Sequence, residues 1–208
     1  MKWIVGIDEV GRGALAGPVT VAAVAIAVDG RGRIIPREFR ALRDSKQLSP
    51  ATRERWAEAL RRHPHVRFAL ARVYPRGIER MNISAAANRA ARRAFDRLGK
   101  EKRLSGIAAI HLDGGLFLGD RSRQRRDIPR AMTVVRADER FPAVAAASII
   151  AKVARDRFMT RLAVRFPAYG FDVHKGYGTA AHRRAIAGAG PCVMHRLTFL
   201  KNNATIVK

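Results

Sequence analysis

The 208-residue chain carries 41 Lys and Arg against 17 Asp and Glu, a formal charge of +24, with 48% apolar residues and a single cysteine, Cys192. This composition excludes wholesale disorder, a disulfide framework and a cysteine-built zinc site within one chain. Its cation field points to a polyanion such as nucleic acid. No apolar run reaches bilayer length and the first residues do not read as a signal peptide, so a cytoplasmic protein with no membrane partner is expected.

In chain order, Trp3 to Asp8 reads as a short buried strand ending in carboxylates, followed by a turn punctuated by Gly11, Gly13, Gly17 and Pro18. Val19 to Val28 reads as a second strand, with a hairpin signal at Asp29-Gly30. Arg31 to Pro50 is a basic connection holding Asp44-Ser45-Lys46. A helix follows Ser49-Pro50, since serine caps and proline suits the first turn. Val66 to Tyr74 alternates as a third strand, Asn82 to Leu98 has helical apolar spacing, and Ile107 to Leu112 is a fourth strand stopping at Asp113.

Gly119 to Arg130 is polar and basic, hence exposed. Thr133 to Val135 is a short fifth strand leading to Asp138. Pro142 to Phe166 is the clearest helix, and its uncharged half, Ala143 to Ala151, belongs deep in the core. Pro167 and Gly170 stop it, and a helix is expected from Ala180 to Ala187 in a glycine-rich, basic remainder. This order predicts an α/β fold, a mixed β-sheet flanked by helices with a small C-terminal helical part. Residues 1–208 read as one domain, in which residues from about 170 onward contact substrate.

Asp8 and Asp113 each end an apolar strand just before glycines, and Asp138 follows a third strand. Strand ends bring sequence-distant residues together. Carboxylates crowded there repel one another unless a divalent cation sits between them, and oxygen-only ligands suit Mg²⁺ or Mn²⁺. Such ions promote phosphodiester hydrolysis. A single Asp after a strand also serves as a turn former or helix cap, and spacing alone leaves both readings open.

Gly11-Arg12-Gly13 is either a tight turn or a place where backbone amides approach a ligand closely. Tyr177, between Gly176 and Gly178, is a stacking platform or an ordinary half-buried tyrosine. Lys152 shares a helix face with Ser148, where it reaches a phosphate or is simply solvated. The six histidines show no pair at ligand spacing on a helix, and Cys192 has no obvious catalytic partners.

Taken together, the motifs resemble type 2 ribonuclease H (ribonuclease HII). Gly6-Ile7-Asp8-Glu9-Val10-Gly11-Arg12-Gly13 through Pro18 is similar to the family's N-terminal signature, and Asp44-Ser45-Lys46-Gln47-Leu48-Ser49 to its next block. Asn82-Ile83, His111-Leu112-Asp113-Gly114, the run Ala145 to Asp156, His174 to Thr179 and His195 to Phe199 follow in the family's order. The resemblance spans about residues 3 to 200.

The resemblance implies a ribonuclease H-like fold and a metal-dependent endoribonuclease acting on RNA/DNA hybrids and ribonucleotide-containing duplex DNA, with a role in ribonucleotide removal. Cleavage falls 5′ of the ribonucleotide and leaves 3′-hydroxyl and 5′-phosphate ends. It further implies that Asp8, Glu9, Asp113 and Asp138 bind Mn²⁺ or Mg²⁺. Gly11, Arg12, Gly13 and Tyr177 read the 2′-hydroxyl, Lys46 and Lys152 touch phosphates, and the protein is a monomer.

Arg136-Ala137 stands where the family has Lys-Gly before its fourth acid, and Glu139, next to Asp138, is the neighbouring alternative. Ala154 replaces a threonine-like position. The extra N-terminal domain of the type 3 relatives is not legible, nor is a sliding-clamp peptide at the C-terminus. Two rivals remain for experiment: a non-catalytic, arginine-rich RNA-binding protein, and a structure-selective DNA nuclease on a related fold.

Overall fold

The computed structural model describes residues 1–40, 42, 48–101, 104, 106–119 and 131–201. Five strands, β1 (Lys2–Val10), β2 (Val19–Val28), β3 (Val66–Val73), β4 (Ile107–Asp113) and β5 (Ala131–Val134), form one sheet in the order β3-β2-β1-β4-β5. β2 runs antiparallel to β1 and β3, whereas β4 is parallel to β1 and β5 to β4. The helices are α1 (Pro50–Arg62), α2 (Pro75–Met81), α3 (Ile83–Glu101), α4 (Pro142–Arg165), α5 (Phe171–His174), α6 (Ala180–Ala189) and α7 (Leu197–Lys201).

β2 explains the layering. All ten of its residues are buried, so the strand has no polar alternation and must be covered on both faces. Val19, Val21, Ala23, Ala25 and Ala27 meet the alanine face of α3. Ala22, Val24 and Ile26 meet the first half of α4. Small residues bring backbones close: a Cβ on Gly6 would stand 2.1 Å from the Ala143 carbonyl carbon. The N-terminus of α4 therefore rests directly on β1.

The expected elements stand, with shifted bounds. β1 runs on to Val10, so Asp8 and Glu9 lie inside the strand. Ser49 caps α1 by accepting from the Thr52 amide at 3.2 Å. After Asp29 the chain turns without a full hairpin. Asp29 accepts from the Arg31 and Arg33 amides, and only a single bridge, Val28 to Ile34, closes the turn. Helices α2, α5 and α7 were not foreseen. Asp44-Ser45-Lys46 and residues 120–130 lie outside the described residues.

A third cluster, Leu15, Ala16, Met159, Leu162, Tyr169, Phe171, Ile186 and Leu200, joins the glycine turn to the C-terminal helices. Backbone bonds seal the junction: the Leu15 amide donates to Gly176 O at 2.9 Å, and the Arg196 amide to Leu15 O at 2.8 Å. No described helix is long and apolar enough to cross a membrane.

Candidate active site

Strand register assembles the acids. Ile7 pairs with Leu112 in the parallel β1–β4 ladder. Asp8 and Asp113 are therefore the next residues on adjacent strands, on one face and roughly 5 Å apart at the backbone. Asp8 is 5% exposed. Burial, and then the neighbouring charge of Glu9, lift its carboxyl well above the usual range against a hydrogen bond from Ser148, with Asp113 adding to the rise. Burial also raises Glu9, opposed by Arg12, whose Nη1 donates to Glu9 Oε1 at 3.2 Å.

Asp138 occupies a short 3-10 turn, Ala137–Glu139, and is 1% exposed. It does not line the cleft but joins the group through the backbone, since the Ala137 amide donates to Asp113 Oδ1 at 2.8 Å. The Arg136-Ala137 departure carries no strain at Ala137, because the left-handed residue is Arg136, at φ 55°. Glu139 pairs with Arg136 at 2.6 Å.

Asp8, Glu9, Gly11, Arg12, Gly13 and Asp113 line one cleft of about 340 Å³, together with Arg53, Ser148, Lys152 and Tyr177. Sequence reasoning had singled out all of these except Arg53, and Lys46 is outside the described residues. Lys152 is paired with Asp156 at 2.9 Å, and its Nζ lies 5.9 Å from the Tyr177 ring centre.

The wall opposite the acids is built from backbone and held from behind by two fully buried arginines. Arg196 donates to Gly11 O (2.7 Å), Arg12 O (2.8 Å) and Gly17 O (2.9 Å). Arg155 donates to Ala16 O, Pro18 O and Lys175 O, and its guanidinium lies 5.2 Å from the Tyr177 ring centre. A trans peptide points its N–H opposite to its C=O. Anchoring the Gly11 and Arg12 carbonyls therefore turns the amides of Arg12 and Gly13 away from Arg196, and neither amide has a hydrogen-bond partner among the described residues.

Gly11 and Gly13 have different reasons to be glycine. Gly11 sits at φ +85°, and a Cβ there would meet Arg155 Nε at 2.1 Å. A Cβ on Gly13 would meet nothing within 4 Å, so only an occupant of the cleft would feel it.

Three histidines brace Tyr177. His182 Nδ1 faces Tyr177 O at 2.9 Å and must donate to it, since a carbonyl only accepts. Its Nε2 then accepts from His195 Nε2 at 3.1 Å, and His195 Nδ1 accepts from the Cys192 amide at 2.9 Å. His174 stacks on His182 at 4.2 Å. The relay from Cys192 through His195 and His182 to Tyr177 needs only neutral rings, and burial lowers the His182 pKa to about 4. Sequence reasoning missed Arg155, Arg196 and this trio: the arginines' partners lie far away in the chain, and the histidines' ring contacts exist only once the C-terminal segment has folded.

The acids fit a hard divalent cation. The donors are all oxygen, their charges oppose one another, and Glu9 Oε2 is buried with no hydrogen-bond partner among the described residues. No three described Asp, Glu, His or Cys residues already stand at metal-holding spacing. An acidic pocket at the carboxyl ends of parallel strands, faced by free amides in a strongly basic protein, defines a nuclease of the metal-dependent class.

Comparison with known proteins takes this further. The Ribonuclease HII family model matches residues 5–202. The chain is 43% identical to ribonuclease HII of Nitratidesulfovibrio vulgaris over 93% of its length and 84% of that protein. It is 40% identical to that of Syntrophotalea carbinolica over 94% and 84%. Among solved structures it resembles the RNase HII of Archaeoglobus fulgidus, determined in complex with PCNA, at 28% identity and TM-score 0.68 over 94% of both chains. It shares the fold of ribonuclease H2 from Pyrococcus horikoshii at TM-score 0.73 and 23% identity, over 99% of both chains. The chain belongs to the ribonuclease HII family. It is a divalent-metal-dependent endoribonuclease that cleaves RNA in RNA/DNA hybrids and ribonucleotides embedded in DNA.

Proposed function

We propose that Asp8, Glu9, Asp113 and Asp138 hold the metal of this enzyme, Mn²⁺ or Mg²⁺, and that the opposite wall reads the ribose. The observation that carries this is one cleft lined both by Asp8, Glu9 and Asp113 and by residues 11–13 and Tyr177, with Asp138 tied to it through the neighbouring Ala137 amide. Bound divalent ions supply activated water and stabilise charge on the departing 3′-oxygen.

The chain's own residues do the rest. Asp8 and Asp113, fixed by strand register, set the position of the scissile phosphate. Ala137 steadies Asp113 through its amide. The outward amides of Arg12 and Gly13 donate to a 2′-hydroxyl that a deoxyribose lacks. Tyr177 packs against the same sugar. Lys152 exchanges Asp156 for a backbone phosphate, and the cut falls 5′ of the ribonucleotide, leaving 3′-hydroxyl and 5′-phosphate ends. The chain acts as one unit, with residues from about 170 onward contacting substrate, in the cytoplasm.

Labelled DNA duplexes containing one ribonucleotide, several or none, incubated with Mg²⁺, Mn²⁺ or chelator, test the reading. Metal-dependent cutting 5′ of the single ribonucleotide, with all-DNA intact, is expected. Asp113→Asn is expected to abolish cutting while hybrid binding persists. Cutting restricted to long hybrids would remove the ribose-reading role from Gly11, Arg12, Gly13 and Tyr177.

A further inference from the structure

A second concavity, of about 330 Å³, opens where β3 passes into α2 and α3, and Arg72, Tyr74, Arg80, Arg89 and Arg93 line it with no acid among the lining residues. Arg80, Arg89 and Arg93 are exposed and make no hydrogen bond or ion pair among the described residues. Arg89 and Arg93 stand four apart on α3, where like charges repel. Arg72 has a buried Nε with no partner, although its guanidinium rests on Phe158. Tyr74 is 47% exposed among these cations. Glu79, beside Arg80 in sequence, is turned to Thr198, accepting from its amide and hydroxyl.

The composition alone would scatter arginines, so a neighbouring groove is the useful control. That groove, which includes Arg53, Arg157, Arg161 and Lys175, also contains Glu54 and Asp156. There Arg157 is bound to Glu54, and Asp156 is held by Lys152. The β3 concavity has no such neutralisation. Its placement is also particular. β3 is parallel in direction to β1 through two antiparallel steps, so both strands end on the same edge of the sheet. Val10 aligns with Thr20 and Thr20 with Arg72, two strand spacings or roughly 10 Å from the acidic strand end. Arg12 Nη2 donates to Ser84 Oγ at 2.9 Å, linking the glycine turn to the start of α3.

We propose that this concavity is a second nucleic-acid site, which grips the phosphate backbone of the duplex flanking the ribonucleotide being cut. The assignment rests on the acidic cleft as the place of cleavage. Arginines present forked donors to phosphate oxygens, and unpaired ones do so without first breaking an ion pair. Tyr74 offers a flat surface beside them for sugar or base.

The test is the triple variant R80Q/R89Q/R93Q, assayed on a long DNA duplex with one ribonucleotide across a salt series. KM is expected to rise about tenfold near physiological salt, and the slope of log KM against log salt to shrink by about 2–3, with kcat unchanged. The control R31Q/R33Q/R37Q removes the same charge at the opposite sheet end, and its slope is expected to change by less than about 1.

An unchanged slope in the first variant, or an equal loss in the control, overturns the site, the latter because it reports only overall charge. Binding to phosphatidylserine vesicles that falls in the first variant while its duplex KM stays put also overturns it, in favour of a membrane surface. Failure of the parent protein to cut at the ribonucleotide strikes the cleavage reading instead, and a salt-dependent duplex Kd still reads the second site.

Discussion

The two walls of the cleft are built on opposite principles. The acidic wall gathers like charges, and strand register forces them together: Asp8 and Asp113 cannot separate without unpairing β1 from β4. The facing wall presents neutral backbone, and buried cations hold it in place: Arg155 and Arg196 fix its carbonyls from behind. One wall stores repulsion for a ligand to relieve. The other has its hydrogen bonds satisfied on the hidden side and leaves donors open on the exposed side. Perturbing the first should change chemistry with little effect on folding, and perturbing the buried anchors of the second should touch both.

The largest effect on stability is expected from Arg196→Met, which strips donors from the Gly11, Arg12 and Gly17 carbonyls. Unfolding free energy should fall by about 3–5 kcal/mol, read by denaturant titration. Arg196→Lys should recover only part of it, because an ammonium lacks the fork. A loss under about 1 kcal/mol would show that the buried guanidinium is not what holds this wall.

Next comes acid. The fold holds His182 neutral, with its pKa depressed to about 4, whereas an unfolded chain takes up that proton near pH 6.5. Stability from this residue is complete above about 6.5 and is lost as pH falls toward about 4, by up to about 3 kcal/mol. His182→Asn should be less stable at neutral pH and lose less on acidification. A parent whose stability is flat between pH 7 and 4 contradicts the neutral relay.

The glycine pair gives the sharpest contrast. Gly11→Ala meets a positive φ and the Arg155 side chain, and should cost about 2–4 kcal/mol. Gly13→Ala meets open space, and its stability should stay within about 0.5 kcal/mol of the parent. Yet kcat/KM on a single embedded ribonucleotide should drop at least about tenfold, if that face receives the sugar. Equal cleavage by Gly13→Ala would remove the close approach from the reading.

Much of this was legible because the informative residues report locally. The run Val19 to Val28 announces a doubly covered strand by lacking polar positions, and Ala143 to Ala151 announces an enclosed helix half by lacking charge. Asp8 and Asp113 stood out as acids closing apolar strands. What stayed hidden is what depends on distant partners. Arg155 and Arg196 look like any of the chain's 41 cations until the fold buries them. Arg53 shares α1 with Arg55, Arg61 and Arg62, and only the docking of that helix selects it for the cleft. Residues 75–81 carried no reading at all, yet proline opens α2 there because the first helical position needs no amide donor. At Ala137 the missing glycine costs no backbone strain, since the left-handed angle falls one residue earlier, at Arg136.

The bond from Arg196 to Gly11 spans 185 positions. A ribosome adds residues in order, so the sheet and its acids emerge well before the arginine that steadies the glycine turn. If residues 11–13 read the ribose as proposed, specificity is then the last property the growing polypeptide acquires. A prematurely terminated product ending before Arg196 would carry Asp8, Glu9, Asp113 and Asp138 beside a glycine turn whose Gly11, Arg12 and Gly17 carbonyls lack their buried donor.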